Sequence, residues 1–261
     1  MNNMTPKLLA TALLACACSA LPVMAEDSGV SVSGNVALVS DYRFRGWSQT
    51  NTEAAIQGGF DVDFGNGFSA GVWGSSIDFG GVGDSMELDV YAGYGSSFGD
   101  GDNEVSYDFG YIYYGYPGAD EVVISATNKP DYDYQEVYAN VGYRGFSAGI
   151  AYSDDYWLES GEFIYLSAGY EHALPAGFNL ALHYGYNDFA IAGNNSNSEE
   201  AARAFLGDNQ SSYSDWSIGI SKEVFTLNAD LTWVETDVSD DACFNTDNCD
   251  GSLVLSLSKE F

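Results

Sequence analysis

Residues 30–64 read VSVSGNVALVSDYRFRGWSQTNTEAAIQGGFDVDF. Val30, Val32, Val36, Leu38, Tyr42 and Phe44 occupy even positions, while Ser31, Ser33, Asn35, Asp41, Arg43 and Arg45 occupy odd ones. Alternation with a period of two marks a strand with one apolar and one polar face. The return limb repeats it, with Ala54, Ile56, Phe60, Val62 and Phe64 set against Glu53, Gln57, Asp61 and Asp63. The pattern predicts a hairpin whose first strand runs on through Phe44. A soluble sandwich alternates in the same way, so the hairpin leaves the fold class open.

The two ends of the chain narrow it. Met1 to Lys7 is short and basic, Leu8 to about Leu21 is apolar, and Val23-Met24-Ala25 offers small residues to a signal peptidase. A cleaved signal peptide over residues 1–25 is expected, leaving residues 26–261 as one domain. A lipoprotein cleavage before Cys16 is the alternative reading of Leu13-Leu14-Ala15-Cys16. The apolar run falls short of the roughly 18 to 20 residues of a spanning helix, and no longer one follows it. At the other end Leu253, Leu255 and Leu257 alternate with Val254, Ser256 and Ser258, and the chain closes on Phe261. An alternating last strand with a terminal aromatic resembles the signal read by the barrel-assembly machinery of outer membranes.

Between the ends, strand candidates at 68–78, 86–98, 104–116, 134–144, 145–156, 162–172, 178–189, 213–224, 225–235 and 252–261 join the first hairpin to give about twelve. Each is near the roughly 9 to 11 residues of a tilted spanning strand. Connections alternate short and long, as in barrels with short periplasmic turns and longer outer loops. Tyr42, Tyr113, Tyr116, Tyr152, Tyr156, Trp157, Tyr186 and Trp233 gather at the long-loop ends, with Phe64, Phe98, Tyr143, Tyr170, Phe225 and Phe261 at the other, as two aromatic girdles would. Strand glycines such as Gly93, Gly95, Gly142 and Gly169 would allow the wall to bend and a neighbouring Tyr to lie across the gap. The expected fold is all-β, a single closed antiparallel transmembrane barrel of about 12 strands in the bacterial outer membrane.

Asp41-Tyr42-Arg43-Phe44-Arg45-Gly46-Trp47-Ser48-Gln49-Thr50, followed by Gln57-Gly58-Gly59-Phe60-Asp61, resembles the hallmark of the TorF-type porin family of proteobacterial outer-membrane proteins. Gly67 to Trp73 and the terminal Ser258-Lys259-Glu260-Phe261 are similar to that family as well. The resemblance implies location, barrel fold and a transport role, and it implies no substrate.

Charge bounds the function. With 8 Lys plus Arg against 38 Asp plus Glu, the formal net charge is −30. Nucleic acid is excluded as a natural partner. Parity puts Asp41, Glu53, Asp61, Asp63, Glu87, Asp89, Asp108, Glu136, Glu171 and Asp230 on the water-facing side, against Arg43, Arg45 and Arg144. Pore-lining candidates are therefore Asp41, Arg43, Arg45, Glu53, Asp61, Asp63, Glu87, Asp89, Asp108, Arg144 and Asp230. An acidic lumen concentrates cations and repels anions. Arg43 and Arg45 either pair with Asp41, Glu53 or Asp61 or meet a passing solute. Cys243 and Cys249 fall in one exported loop and are expected to form a disulfide. Asp237, Asp240, Asp241, Asp247 and Asp250 in that loop form a solvated face or bridge divalent cations to lipopolysaccharide. No catalytic, metal or cofactor site is expected, because neither His172 nor His183 can be matched with a nucleophile or an acid by spacing. The functional expectation is a channel for small hydrophilic solutes with a preference for cations. The alternatives are a closed-barrel receptor or structural protein and, less favoured, a barrel enzyme.

Overall fold

The structure, a computed structural model, describes residues 29–79, 86–119, 131–189, 206, 211–243 and 245–261. The signal-peptide reading of residues 1–25 lies outside them. Twelve strands form one closed antiparallel barrel: β1 (Ser31–Val39), β4 (Ala55–Asp63), β5 (Phe68–Ser76), β6 (Met86–Phe98), β7 (Val105–Gly115), β8 (Tyr134–Tyr143), β9 (Phe146–Ser153), β10 (Phe163–Ala173), β11 (Phe178–Phe189), β12 (Ser212–Val224), β13 (Leu227–Thr236) and β14 (Ser252–Glu260). Two strands of two residues each, β2 (Arg43–Phe44) and β3 (Trp47–Ser48), pair only with each other. Closure joins β1 to β14, and the carbonyl and N–H of Phe261 bond to Gly34 at 2.8 and 2.9 Å. A closed ladder leaves no strand edge unpaired.

Alternation fixes which face is which. Val32, Leu38, Ile56, Phe60, Val90, Ile150, Ile218, Leu253, Leu255 and Leu257 all point outward and are exposed. An apolar belt of this extent around a closed wall suits a lipid surrounding and not water. The inward set is polar or small: Asp61, Ser75, Glu87, Asp89, Glu136, Asn187, Asp215, Ser217, Asp230 and Thr232 are buried. Of the strand glycines expected to make room for a tyrosine, Gly93 meets the Tyr138 hydroxyl, whereas Gly95, Gly142 and Gly169 face Asp108, Ser106 and Ser147; other glycines carry the clearer cases. Tyr91 lies across its cross-strand partner Gly71, where an added Cβ would stand 2.5 Å from the ring, and Tyr138 covers Gly110. Asp61 takes a hydrogen bond from the Tyr91 hydroxyl at 2.6 Å.

The long connections leave one end of the barrel and the short turns the other. The turn between β12 and β13 is Phe225-Thr226 instead of Glu223-Val224, because the β12 ladder continues to the pair Val224↔Leu227. The first strand is corrected more strongly. β1 ends at Val39, and residues 40–54 turn into the barrel, so the expected strand through Phe44 is not formed. Tyr42 and Phe44, which parity would face outward, are buried and half-buried inside. Local polar bonds are the physical reason. The Asp41 carboxylate accepts from Arg43 Nε at 2.5 Å, Ser48 Oγ at 2.6 Å and Thr50 Oγ1 at 3.2 Å, giving the segment an alternative to the ladder. The expected girdle at this end is likewise divided. Tyr113, Tyr152, Tyr186 and Trp233 face outward and are exposed, whereas Tyr42, Tyr116 and Tyr156 belong to the packed interior.

Candidate functional site

The inward segment is a hairpin of minimal size. β2 and β3 are joined by Arg45 and Gly46 at φ of 49° and 86°, the left-handed pair that a tight two-residue hairpin turn requires. A Cβ at Gly46 would also collide with Thr236 Cγ2, so only glycine lets this tip reach the β13 wall. Arg43 Nη1 donates to the carbonyls of Gly46, Asn248 and Asp250 at 3.1, 2.9 and 3.0 Å. Asn248 lies within the span closed by the Cys243–Cys249 disulfide, and Asp250 directly follows it. The Ser48 N–H donates to the Asn248 carbonyl at 2.8 Å, which joins hairpin and disulfide loop a second time. Asp237, Asp240, Asp241, Asp247 and Asp250 are exposed on the outside of that loop.

Arg45 reaches across the barrel. Its Nη1 and Nη2 donate to Oε1 and Oε2 of Glu136 at 2.7 and 2.8 Å, in the forked geometry that matches guanidinium to carboxylate. Glu136 lies on β8, five strands round the wall from β1. The guanidinium carbon stands 4.3 Å from the Tyr165 ring centre, 4.8 Å from Phe163, 4.7 Å from Phe44 and 5.6 Å from Tyr156. The Tyr213 hydroxyl donates to the Arg45 carbonyl at 3.1 Å. Burial pushes the Tyr156 hydroxyl up to about 12, so it stays protonated. Around this centre Tyr114 stacks on Tyr134 at 4.4 Å and Tyr156 on Phe163 at 3.8 Å. Phe163, Phe189, Asn187 and Glu136 are 2% exposed or less. The long-loop half of the lumen is therefore a packed core. The sequence reading offered Arg45 the nearby Asp41, Glu53 or Asp61; its partner is on the far wall.

The other sequence candidates fall into four settings. Arg43 and Asp41 are tied to each other and to the hairpin. Glu87 and Asp89 lie inside the sealed half beside Tyr116, whose hydroxyl donates to Glu87 Oε1 at 3.3 Å. Asp61, Asp108 and Asp230 face the lumen, where Asp108 accepts from Asn140 Nδ2 at 2.9 Å and Asp230 from Thr232 Oγ1 at 2.7 Å. Glu53, Asp63 and Arg144 are exposed. Asp63 caps the first short turn by accepting from the Gly65 N–H at 2.7 Å, and Arg144 sits in the β8–β9 turn and donates to Asn103 at 3.0 Å.

One constellation escaped the sequence reading. His183 Nε2 stands 3.2 Å from Asp215 Oδ1 and 2.7 Å from the Tyr165 hydroxyl, and Asn187 Nδ2 orients Asp215 at 2.8 Å. Spacing could not assemble it, because the β11–β12 register is set across a long connection. Tyr165, His183 and Asp215, with Arg45, Gly46, Ser217 and Val234, line a small pocket beneath the hairpin tip. His183 is 25% exposed, whereas Asp215 is 5% exposed. His183 has an acid and a phenol as partners and no bonded nucleophile. Among the described residues, no group of three or more His, Cys, Asp or Glu side chains is placed to hold a metal ion.

Residues 24–261 match Gcw_chp, described as a bacterial protein of unknown function. The chain belongs to the Gcw_chp family. No curated protein matches it. Solved structures similar to this Gcw_chp chain include the NanC porin, at 10% identity and TM-score 0.47 over 87% of this chain and 98% of that one. OprD of Pseudomonas aeruginosa aligns at 10% identity and TM-score 0.41, over 90% of this chain and 67% of its own length. OccAB3 of Acinetobacter baumannii aligns at 9% identity and TM-score 0.41, over 91% and 66%.

Proposed function

We propose that this Gcw_chp barrel is a bacterial outer-membrane channel of the porin kind, passing small hydrophilic solutes by passive diffusion with a preference for cations. The observation that carries the reading is the division of one closed wall into an apolar outer face and an inner face rich in carboxylates. A twelve-stranded barrel is wider than the eight-stranded kind that side chains alone can fill. Here an inserted segment completes the filling at one end. At the short-turn end Asn35, Ser69, Asn140, Ser147, Ser167 and Asn179 face inward without being buried. Carboxylates that border such a space favour cations and repel anions.

In this reading the signal peptide is removed after Ala25, Phe261 guides assembly, and the acidic long loops meet lipopolysaccharide. The resemblance of residues 41–61 to the TorF-type porins points the same way. The pore-lining role of Asp61, Asp63, Glu87, Asp89, Asp108, Arg144 and Asp230 is part of the proposal, as is a non-enzymatic activity. A second reading is favoured by the packed core around Arg45: a closed barrel that serves as a surface receptor without transport. Purified protein in planar bilayers under a salt gradient separates the two. Unitary currents with a cation-selective reversal potential support the channel, and a tight bilayer supports the receptor.

A further inference from the structure

Arg45 is a segment of this chain held as a ligand is held. Its guanidinium lies 5% exposed, with Phe44 of its own hairpin on one side at 4.7 Å and four side chains of the wall around it: Glu136 from β8, Phe163 and Tyr165 from β10, and Tyr156 from the loop between β9 and β10. The carboxylate presents two oxygens for two parallel N–H groups, and the rings offer faces to a planar cation. The Tyr114 hydroxyl donates to Glu136 Oε2 at 3.3 Å and helps to fix the fork. None of these five side chains comes from the hairpin, so the wall carries the site whether or not Arg45 is in it. The pocket lined by Tyr165, His183, Asp215 and Ser217 runs up to Arg45 and Gly46 but has room for no more than about one water, so a solute reaches the site only by taking the place of Arg45.

We propose that Glu136, Tyr156, Phe163 and Tyr165 form a binding site for the guanidinium group of a solute, with Arg45 as its resident and displaceable occupant. The proposal rests on the channel reading and adds a substrate class to it. An alkylammonium is a poorer fit, since it is a compact point charge that cannot fill both carboxylate oxygens and lie flat on a ring. Displacement of Arg45 removes the hairpin's ion pair to the far wall while leaving its ties to the disulfide loop, to Tyr213 and to Tyr114, so the solute that binds also loosens the segment that blocks its way.

Arg45→Ala removes an ethylguanidinium fragment, and that fragment is the probe. In folded R45A, ethylguanidinium at about 10 mM should raise the melting temperature by several degrees, as expected for a Kd of about 1 mM, while urea and ethylammonium at the same concentration should not. Glu136→Gln in the R45A background should remove the effect. Where R45A does not fold, the wild-type protein carrying a spin label at Glu53→Cys gives a second readout. Ethylguanidinium should mobilise the label, and ethylammonium should not. Absence of both effects, or equal effects of ethylammonium, would overturn the proposal. Neither readout needs current through the barrel, so a failure here and a failure of the channel reading are separately visible.

Discussion

The two halves of this barrel use the same wall for opposite ends. At the long-loop end, inward side chains are large and aromatic, they pack on an inserted hairpin, and each charge of that hairpin is matched at hydrogen-bond distance. At the short-turn end, inward side chains are small or polar, glycine, serine, asparagine and the carboxylates Asp61, Asp108 and Asp230, and several, such as Asn140 and Ser147, are exposed. The alternation along each strand runs unbroken from one half to the other. What differs is the size of the inward residue and the presence of a segment to pack against it. The long-loop half is thus closed by residues 40–54 together with the wall aromatics that pack on them.

Changes in the packed half should be the costlier. Glu136→Ala strands the buried Arg45 guanidinium, and removing one partner of a buried ion pair costs about 3 to 5 kcal/mol. Urea unfolding of the protein in lipid should show that loss, and an effect below about 1 kcal/mol would mean that the hairpin is not anchored there. Opening the six-residue disulfide span between Cys243 and Cys249, by Cys→Ser at both, should cost about 2 kcal/mol by loop-closure entropy. It should also release the carbonyls of Asn248 and Asp250 that hold Arg43, seen as faster proteolysis of residues 40–54.

The sequence disclosed the wall almost completely and the plug hardly at all. β6 and β11 have the bounds that alternation assigns them, because side chains packed on one face and exposed on the other leave a period of two in any window. The segment 41–50 carries that same period, yet it departs from the ladder. Its alternation serves a hairpin of two residues per strand, and the one local sign of the turn is Gly46, since Arg45 takes up its positive φ of 49° against its own preference. Arg45–Glu136 and His183–Asp215 were illegible for a different reason. Each pairs residues whose separation depends on how many strands lie between them and on register, neither of which is written locally. Glu136 carried the right parity, but parity alone does not choose a partner across a lumen.

Smaller effects should mark the open half. Gly71→Val meets the Tyr91 ring and should cost about 1 to 3 kcal/mol by overpacking, measured by thermal unfolding, with the hairpin left in place. Asp63→Asn keeps the acceptor for the Gly65 N–H and should change stability by less than about 0.5 kcal/mol. Its effect on reversal potential should be slight and should vanish at 1 M salt, where the Debye length is about 3 Å.

Conductance of the wild type against Arg45→Ala in planar bilayers is the most direct trial of a cation-preferring channel restrained by its own hairpin. The wild type should give small cation-selective currents, and the variant larger currents with a stronger cation preference, since an obstacle and a positive charge are removed together. Closed bilayers with both proteins, or anion-selective currents with the variant, would contradict it.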